Sequence, residues 1–359
     1  MSTAEDDIRH MAQALGLARR GLNTTAPNPR VGCVVVSEGV VIAEGWHRRA
    51  GESHAEVAAL ETLGGSARGA TAYVSLEPCN HTGRTPPCSD ALIKAGIARV
   101  VCATEDPDPR VAGTGLAKLR AAGIDVTTGV LAAEAEALNA GFFSRMQRYR
   151  PRVLCKLAMS VDGRTAMASG ESKWITGEAA RADVQHLRAR SCAVLTGVGT
   201  VLADDPRLDA REGVRQPLRV IVDSSLRTPT DARVLAAPGV ALLACADVDG
   251  SGYSGLAGVE VLRLPGSGGK VDLTALLAAL ATRECNEVLL ESGPTLAGAF
   301  AQAGLIDEYR IYMAPVLLGS AARPLLELPF TRMAERLRLR ITGMDAVGDD
   351  WRISAVPQH

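Results

Sequence analysis

Four side chains in the first quarter of the chain are of the types that hold and use a metal. His54-Ala55-Glu56 is followed by Pro78-Cys79 and then by Cys88. One imidazole and two thiolates make a three-ligand zinc set, and a catalytic zinc site keeps its fourth position for water. A metal so held lowers the pKa of that water and makes hydroxide available near neutral pH. Glu56 supplies what the ion lacks, a carboxylate that takes a proton from water and hands it to a leaving amine. One geometric condition follows. Residues i and i+2 lie on opposite sides of a helix, so His54 must sit where loop becomes helix, with Glu56 inside the first turn. Cys79 and Cys88 are both expected just ahead of a helix beginning at Ser89, whose N-terminus favours the thiolate form. The set matches the first half of the H-x-E…P-C-x-x-C signature of zinc nucleobase deaminases. It departs from the second half, because eight residues rather than two separate the cysteines.

The second half of the chain carries weaker signals. Gly197-Val198-Gly199 follows a strand-like run, but Leu202 stands where the third glycine of G-x-G-x-x-G would fall. Glu291-Ser292-Gly293-Pro294 reads as a strand running into a helix start. Free backbone N–H groups there suit a pyrophosphate. The same residues suit an ordinary strand–helix connection with proline in the first turn.

These sites need elements to carry them. At roughly 150 residues per domain, 359 residues predict two domains. Hydrophobic residues make up 47% and charged residues 22%, ordinary globular usage that excludes disorder and low-complexity architectures for the bulk of the chain. The net charge of −1 gives no general drive toward nucleic acid, and 3% aromatics leave few platforms for stacking bases. The acidic, polar start lacks a signal-peptide pattern, and no run of about 18 apolar residues suggests a membrane span. A cytoplasmic enzyme of small molecules, with no nucleic-acid or membrane partner, is the expectation.

Periodicity predicts a first helix over Ile8–Ala18, a hairpin from Val31–Val36 and Val40–Trp46, and a helix from His54 to before Gly64. Strands at Ala72–Leu76, Arg99–Ala103 and Asp125–Thr128 alternate with helices at Ser89–Ala95 and Leu116–Ala122, an α/β unit. The arginine-rich stretch from Phe142 to Arg152 reads as a solvated linker or helix end, and sets a boundary between residues 1–148 and 151–359. Beyond it, strands are expected at Val153–Met159, Ala193–Thr196, Leu218–Asp223, Val240–Cys245, Val259–Leu264, Glu287–Glu291, Glu308–Ala314 and Ile353–Val356. Helices are expected from Thr176, as N-cap, to Arg190, over Leu273–Ala281 and over Thr295–Ala303. The strands outnumber the helices that could connect them, so the sheet of this half should be mixed.

LEPCNHTGRTPPCSDALIKAG (Leu76–Gly96) and EDPDPRVAGTGL (Glu105–Leu116) resemble the deaminase domain of the bifunctional riboflavin-biosynthesis family called RibD or RibG. The long loop between the cysteines is typical of that family. The likeness continues through KLAMSVDGRTAMASGESKWIT (Lys156–Thr176), TVLADDPRL (Thr200–Leu208) and ESGPTLAGA (Glu291–Ala299), which are similar to its reductase domain. The resemblance implies a cytidine-deaminase-like α/β/α domain followed by a dihydrofolate-reductase-like α/β domain. It implies one zinc per chain, NADPH in the second domain, a pyrimidine ribotide phosphate as substrate, and self-association into a homo-oligomer.

Carried over by motif, the resemblance gives Asn28, His47, His81, Arg84 and Asp106 to the deaminase substrate. Asp108 stands where the family often has asparagine. Asn28 between two prolines equally shapes a turn, and His47 and Arg84 also read as ordinary surface groups. In the second domain the resemblance gives Ala158, Trp174, Thr200, Asp204, Ser224 and the run Gly293, Pro294, Thr295, Leu296, Ala297, Gly298, Ala299 to the dinucleotide. It gives Ser172, Arg188, Leu208, Arg211 and Glu291 to the substrate, the arginines suiting a phosphate. Lys156 and Asp162 are the candidates to assist proton delivery. Two alternatives stay open: another nucleotide deaminase joined to an unrelated reductase, or one half acting as a non-catalytic module.

Overall fold

The computed structural model describes residues 3–81, 86–172, 175–211 and 215–358. The chain divides into two units, Met1–Tyr149 and Arg150–His359.

In the first unit the elements run α1 (Ala4–Ala18), β1 (Gly32–Ser37), β2 (Val40–Trp46), α2 (Ala55–Glu61), β3 (Thr71–Val74), α3 (Cys88–Ala95), β4 (Arg99–Cys102), α4 (Thr114–Ala121), β5 (Asp125–Thr128), α5 (Ala132–Leu138) and α6 (Ala140–Arg148). Thr3 and Asp6 form a capping box that starts α1. The five strands lie in the order β2-β1-β3-β4-β5. Strand β1 pairs antiparallel with β2 and β3, and β3, β4 and β5 are parallel. Side chains in the strands alternate between two cores, as a period of two demands. Cys33, Val35, Ala72, Val74 and Val100 pack with Ala55, Ala59, Leu92 and Leu119 on one face. Val34, Val36, Tyr73 and Val101 pack with Met11, Ala14, Leu15 and Ala135 on the other. The result is the α/β/α sandwich expected. Gly45 matters for the site, because a Cβ there would lie 2.2 Å from the Ala55 carbonyl oxygen. Its bare backbone lets the start of α2 sit directly on β2.

The basic stretch before the second unit is the helix end of the two readings, since α6 runs to Arg148, and not a solvated linker. Phe142 and Ser144 of α6 are buried. Arg150 pairs with Asp307 at 2.8 Å, and Arg152 with Glu308 at 2.5 Å. Ion pairs hold Arg150 and Arg152, while Arg148 at the helix end stays exposed.

The second unit runs β6 (Arg152–Ser160), β7 (Arg164–Ala166), α7 (Glu178–Arg190), β8 (Ala193–Gly197), α8 (Val198–Asp204), β9 (Leu218–Val222), α9 (Arg233–Ala236), β10 (Ala241–Cys245), β11 (Val259–Arg263), α10 (Leu273–Thr282), β12 (Glu287–Leu290), α11 (Pro294–Gln302), β13 (Glu308–Ala314), β14 (Arg323–Pro324), β15 (Arg338–Val347) and β16 (Asp350–Gln358). Its main sheet has nine strands in the order β11-β10-β9-β8-β12-β6-β13-β16-β15. The first seven are parallel, and β16 and β15 join antiparallel, so the sheet is mixed as expected. Two expectations fail. The N-cap of α7 is Gly177 rather than Thr176, and its N–H donates to Asp350 Oδ2 at 2.7 Å. The closing strand is one arm of a long hairpin whose other arm, β15, was not foreseen. Among the described residues no helix is long and apolar enough to cross a membrane.

Candidate functional site

His54 is the N-cap of α2, in extended backbone, and Glu56 lies in the first turn. That is the loop-to-helix placement the His-x-Glu spacing requires. Cys88 is the first residue of α3, with Pro87 as its cap, one residue earlier than expected. His54 Nδ1 stands 3.3 Å from Cys88 Sγ and 3.6 Å from Cys79 Sγ. The three ligand atoms all lie within 4.8 Å of one another. Ligands about 2.1 and 2.3 Å from a tetrahedral zinc stand about 3.6 Å apart, so this donor set fits the ion. The Cys88 N–H donates to Cys79 Sγ at 3.4 Å. Hydrogen bonds from the Cys88 thiol and from His54 hold the Cys79 sulfur well below the ordinary thiol range, and Cys88 rises in turn because its proton is shared with Cys79. Glu56 is only 3% exposed. Burial, and then the Cys79 sulfur, push its carboxyl up to about 7.

Two of the expected substrate residues meet beside this cluster. Asn28 Nδ2 is 3.1 Å from His47 Nε2, and His47 Nδ1 is 3.1 Å from the Ser53 carbonyl oxygen. The His47 ring stands edge-on to His54, with centroids 5.3 Å apart. His47 is buried, so it is not an ordinary surface group. The segment bearing Asn28 is fixed by its neighbour Arg30. Its guanidinium donates to the Leu138 and Leu22 carbonyls, and its backbone exchanges two hydrogen bonds with the Asn139 amide. Asp106 is also buried, and its carboxylate accepts the Asp108 N–H at 2.8 Å. Asp108 is committed to Arg110, which it binds through both carboxylate oxygens. His81 is exposed, and Arg84 lies outside the described residues.

Sequence reasoning missed Glu77. It is 4% exposed and accepts hydrogen bonds from the N–H groups of Asp106, Gly113, Gly115 and Leu116 at 2.9–3.3 Å. The available signal was an acid inside the apolar stretch before Pro78-Cys79. A carboxylate there has to be buried, and a buried carboxylate needs partners.

The second unit holds a cavity of about 1430 Å³. Pockets for drug-sized ligands measure about 300–1,000 Å³, so this one has room for a dinucleotide and a second molecule. Ala158, Thr200, Asp204, Gly293, Pro294, Thr295 and Leu296 line it from the set expected to hold the dinucleotide. Ser172, Arg188, Leu208, Arg211 and Glu291 line it from the substrate set. Helix α11 opens toward this space at Gly293 with no side-chain cap, and Thr200 Oγ1 accepts the Gly293 N–H at 3.2 Å. An uncapped helix start in a cavity wall suits a pyrophosphate, so the residues fit a dinucleotide.

Other residues of the expected set lie elsewhere. Ser224 Oγ accepts the Val271 N–H outside the cavity lining. Ala297 and Gly298 are buried in α11, and Ala299 is on its exposed side, because successive helical residues point in different directions. Trp174 lies outside the described residues.

Arg188 grips Glu291 through two hydrogen bonds of 2.6 and 2.9 Å. Burial pushes the Glu291 carboxyl up, but the Arg188 charge and hydrogen bond, with Lys156, outweigh it and hold the group below its ordinary value. Lys156 lines the same cavity, and burial lowers its pKa. Asp162 does not line it. Its carboxylate takes the Leu318 and Gly319 N–H groups and the Ser160 hydroxyl, which fits it for holding a loop. Leu208 has φ +55, an uncommon backbone for a branched side chain, at the cavity wall.

The first unit therefore has the architecture and donor set of a zinc-dependent nucleobase deaminase, and the second is an α/β unit with a dinucleotide-sized cavity. The family model of the cytidine and deoxycytidylate deaminase zinc-binding region matches residues 4–104, and that of the RibD C-terminal domain matches residues 151–353. The riboflavin biosynthesis protein RibD of Escherichia coli is 49% identical over 96% of this chain and 97% of its own. The structure of Acinetobacter baumannii RibD superposes with a TM-score of 0.94 at 46% identity, covering 99% of this chain and 100% of that one. A Thermotoga maritima structure described as a diaminohydroxyphosphoribosylaminopyrimidine deaminase/5-amino-6-(5-phosphoribosylamino)uracil reductase gives a TM-score of 0.88 at 31% identity, covering 99% of each chain. The chain belongs to the RibD family of fused deaminase–reductases of riboflavin biosynthesis.

Proposed function

We propose that the first unit removes the 2-amino group of a diaminopyrimidine ribotide phosphate, and that the second reduces the ribosyl group of the deaminated product to a ribityl chain. The observation that carries this reading is the convergence of His54, Cys79 and Cys88 beside buried Glu56 in a chain of this family. Those three residues would hold one zinc ion. When bound, zinc supplies a Lewis acid that makes water nucleophilic near neutral pH. Glu56 takes the proton that water loses and delivers it to the departing amine, so that ammonia leaves as a neutral molecule. Asn28, oriented by His47, reads the edge of the pyrimidine. His81 and Arg84 take the ribotide end, and Asp106 closes the pocket wall.

In the second unit Ala158, Trp174, Thr200, Asp204 and the start of α11 would hold NADPH, which would supply the hydride. Arg188 and Arg211, with Ser172 and Leu208, hold the phosphate of the substrate, and Glu291 keeps the Arg188 fork in place. Lys156, half-buried in the wall of the same cavity, delivers the proton that completes the reduction. Substitution Glu56→Gln tests the division of labour. The protein should keep one zinc per chain, lose deamination by at least about a hundredfold, and retain reduction of the deaminated substrate. Near wild-type deamination would refute the role of Glu56.

Self-association belongs to the same reading. Register places Ile341, Met344 and Ala346 of β15 on one face with Ala355, Ile353 and Trp351 of β16. Ile341 is 62% exposed, Met344 50% and Trp351 43%. The exposed part of this face is apolar, patches of this kind mark interaction surfaces, and the same face of a second copy would meet it across a two-fold axis. None of the eight cysteines is in a disulfide, which suits a reducing cytoplasm.

A further inference from the structure

The buried Glu77 carboxylate has no cationic partner among the described residues, and backbone amides alone satisfy it. Oε2 accepts the Asp106 N–H at 3.1 Å and the Gly113 N–H at 2.9 Å. Oε1 accepts the Gly115 N–H at 2.9 Å and the Leu116 N–H at 3.3 Å. These donors sit in two places. Asp106 opens the loop that leads to α4. Gly113 is the N-cap of α4 and has no side chain to cap with, and Gly115 and Leu116 are in its first turn. The first N–H groups of a helix have no partner within it. Glu77 reaches across from the turn after β3 and serves as the cap this helix lacks, with its charge at the favourable end of the helix dipole. A single carboxylate thus ties both ends of the 106–113 loop.

The same turn continues through Pro78 into Cys79. The Glu77 N–H donates to the Thr104 carbonyl at 3.0 Å. A Cβ on Gly115 would lie 1.9 Å from the Pro78 carbonyl oxygen, so α4 begins pressed against the backbone that carries the metal-binding cysteine. Within the closed loop, Asp106 is buried and accepts the Asp108 N–H. Metal-binding turn and pocket wall are fastened together at Glu77.

We propose that Glu77 is a positioning residue of the deaminase. It fixes the distance between the Cys79 turn and the Asp106 wall, and so sets how tightly the pyrimidine ribotide is held. The inference rests on the deaminase reading of this site. Glu77→Gln keeps shape but turns an amide NH₂ toward two N–H donors, so at least two of the four hydrogen bonds are lost.

The test uses the zinc-loaded full chain and the diaminopyrimidine ribotide phosphate. Wild-type deamination is measured first, because an inactive wild type refutes the deaminase reading itself rather than the role of Glu77. With an active wild type, E77Q should raise KM for deamination tenfold or more while kcat falls less than threefold. Zinc content and both reductase constants should stay unchanged. Hydrogen exchange of the Gly113, Gly115 and Leu116 amides should quicken. The effect of E77Q should shrink in an Asp106→Asn background, since Glu77 acts by placing the Asp106 carboxylate, which that background lacks. Unchanged KM, loss of zinc, or full additivity with D106N would each overturn the proposal. If E77Q does not fold, Glu77→Asp carries the test: it keeps the charge and shortens the reach, and KM should rise severalfold. A wild-type KM in E77D would also overturn it.

Discussion

Asp106 gives the structure's sharpest pH prediction. Burial, above the opposing Asp108 N–H hydrogen bond and with repulsion from Asp108 and Glu77, pushes its carboxyl up to about 7 from 3.8. An acid whose folded pKa exceeds its unfolded value is bound to its proton more tightly in the native state. Its cost to stability is small below the unfolded pKa, grows as pH rises between the two values, and is full above the folded one. With 3.8 and about 7 as the limits, ionisation of Asp106 costs about 2 kcal/mol at pH 5 and about 4 kcal/mol at pH 8. Asp106→Asn removes the titration and keeps an oxygen to accept the Asp108 N–H. Whatever constant offset the substitution adds cancels when two pH values are compared. The stability of D106N relative to wild type should therefore rise by about 2–3 kcal/mol from pH 5 to pH 8.

The assay is urea unfolding of the zinc-loaded protein followed by fluorescence of Trp46, the sole tryptophan of the first unit, with Trp174 and Trp351 replaced by Phe in both proteins. Each pH should give the same dependence of free energy on urea, so that midpoints convert directly. Parallel profiles for D106N and wild type across this range would mean that Asp106 titrates normally when folded, the opposite of what its burial requires.

Two further outcomes follow from the second unit. Arg188→Met leaves the buried Glu291 carboxylate without its bidentate partner. It should destabilise that unit by about 3–5 kcal/mol in thermal unfolding and raise the reductase KM at least tenfold, with deamination unchanged; an unaltered reductase KM would remove Arg188 from the substrate site. The pair Ile341→Glu and Met344→Glu places charge on the apolar hairpin face. Sedimentation should show an oligomeric wild type and a monomeric double variant, and a monomeric wild type would contradict the assignment of that face.

Much of the deaminase site was legible because its chemistry is local. His54 and Glu56 are two residues apart, and the rule that they must straddle a helix start placed α2 to within a residue. The alternation of Cys33, Val34, Val35 and Val36 between two cores is equally a property of consecutive residues. What stayed hidden depends on contacts distant in sequence. Glu77 takes its meaning from amides 29–39 positions away. Gly177 displaces Thr176 as the cap of α7 because Asp350, from the far end of the chain, holds its N–H. Strand β15 opens with the alternation Arg338, Leu339, Arg340 and Ile341, a readable strand pattern. The register shift between Ile341 and Gly343 then breaks its phase, and exposure on both faces removes the apolar run that marks a buried strand. In the reductase cavity, Ala297, Gly298 and Ala299 were expected alongside Gly293 to Leu296. Only the first turn of a helix presents its backbone N–H groups, and the later residues point into the core or to solvent.

One chain should perform a zinc-dependent deamination and then a reduction. Purified protein supplied with the diaminopyrimidine ribotide phosphate and NADPH tests it directly, with ammonia release and NADPH oxidation followed together. Both should occur, and a zinc chelator should stop both with this substrate while leaving NADPH oxidation intact when the deaminated ribotide is supplied instead. Absence of both reactions in zinc-loaded protein, or NADPH oxidation from the aminated substrate without ammonia release, would contradict the account.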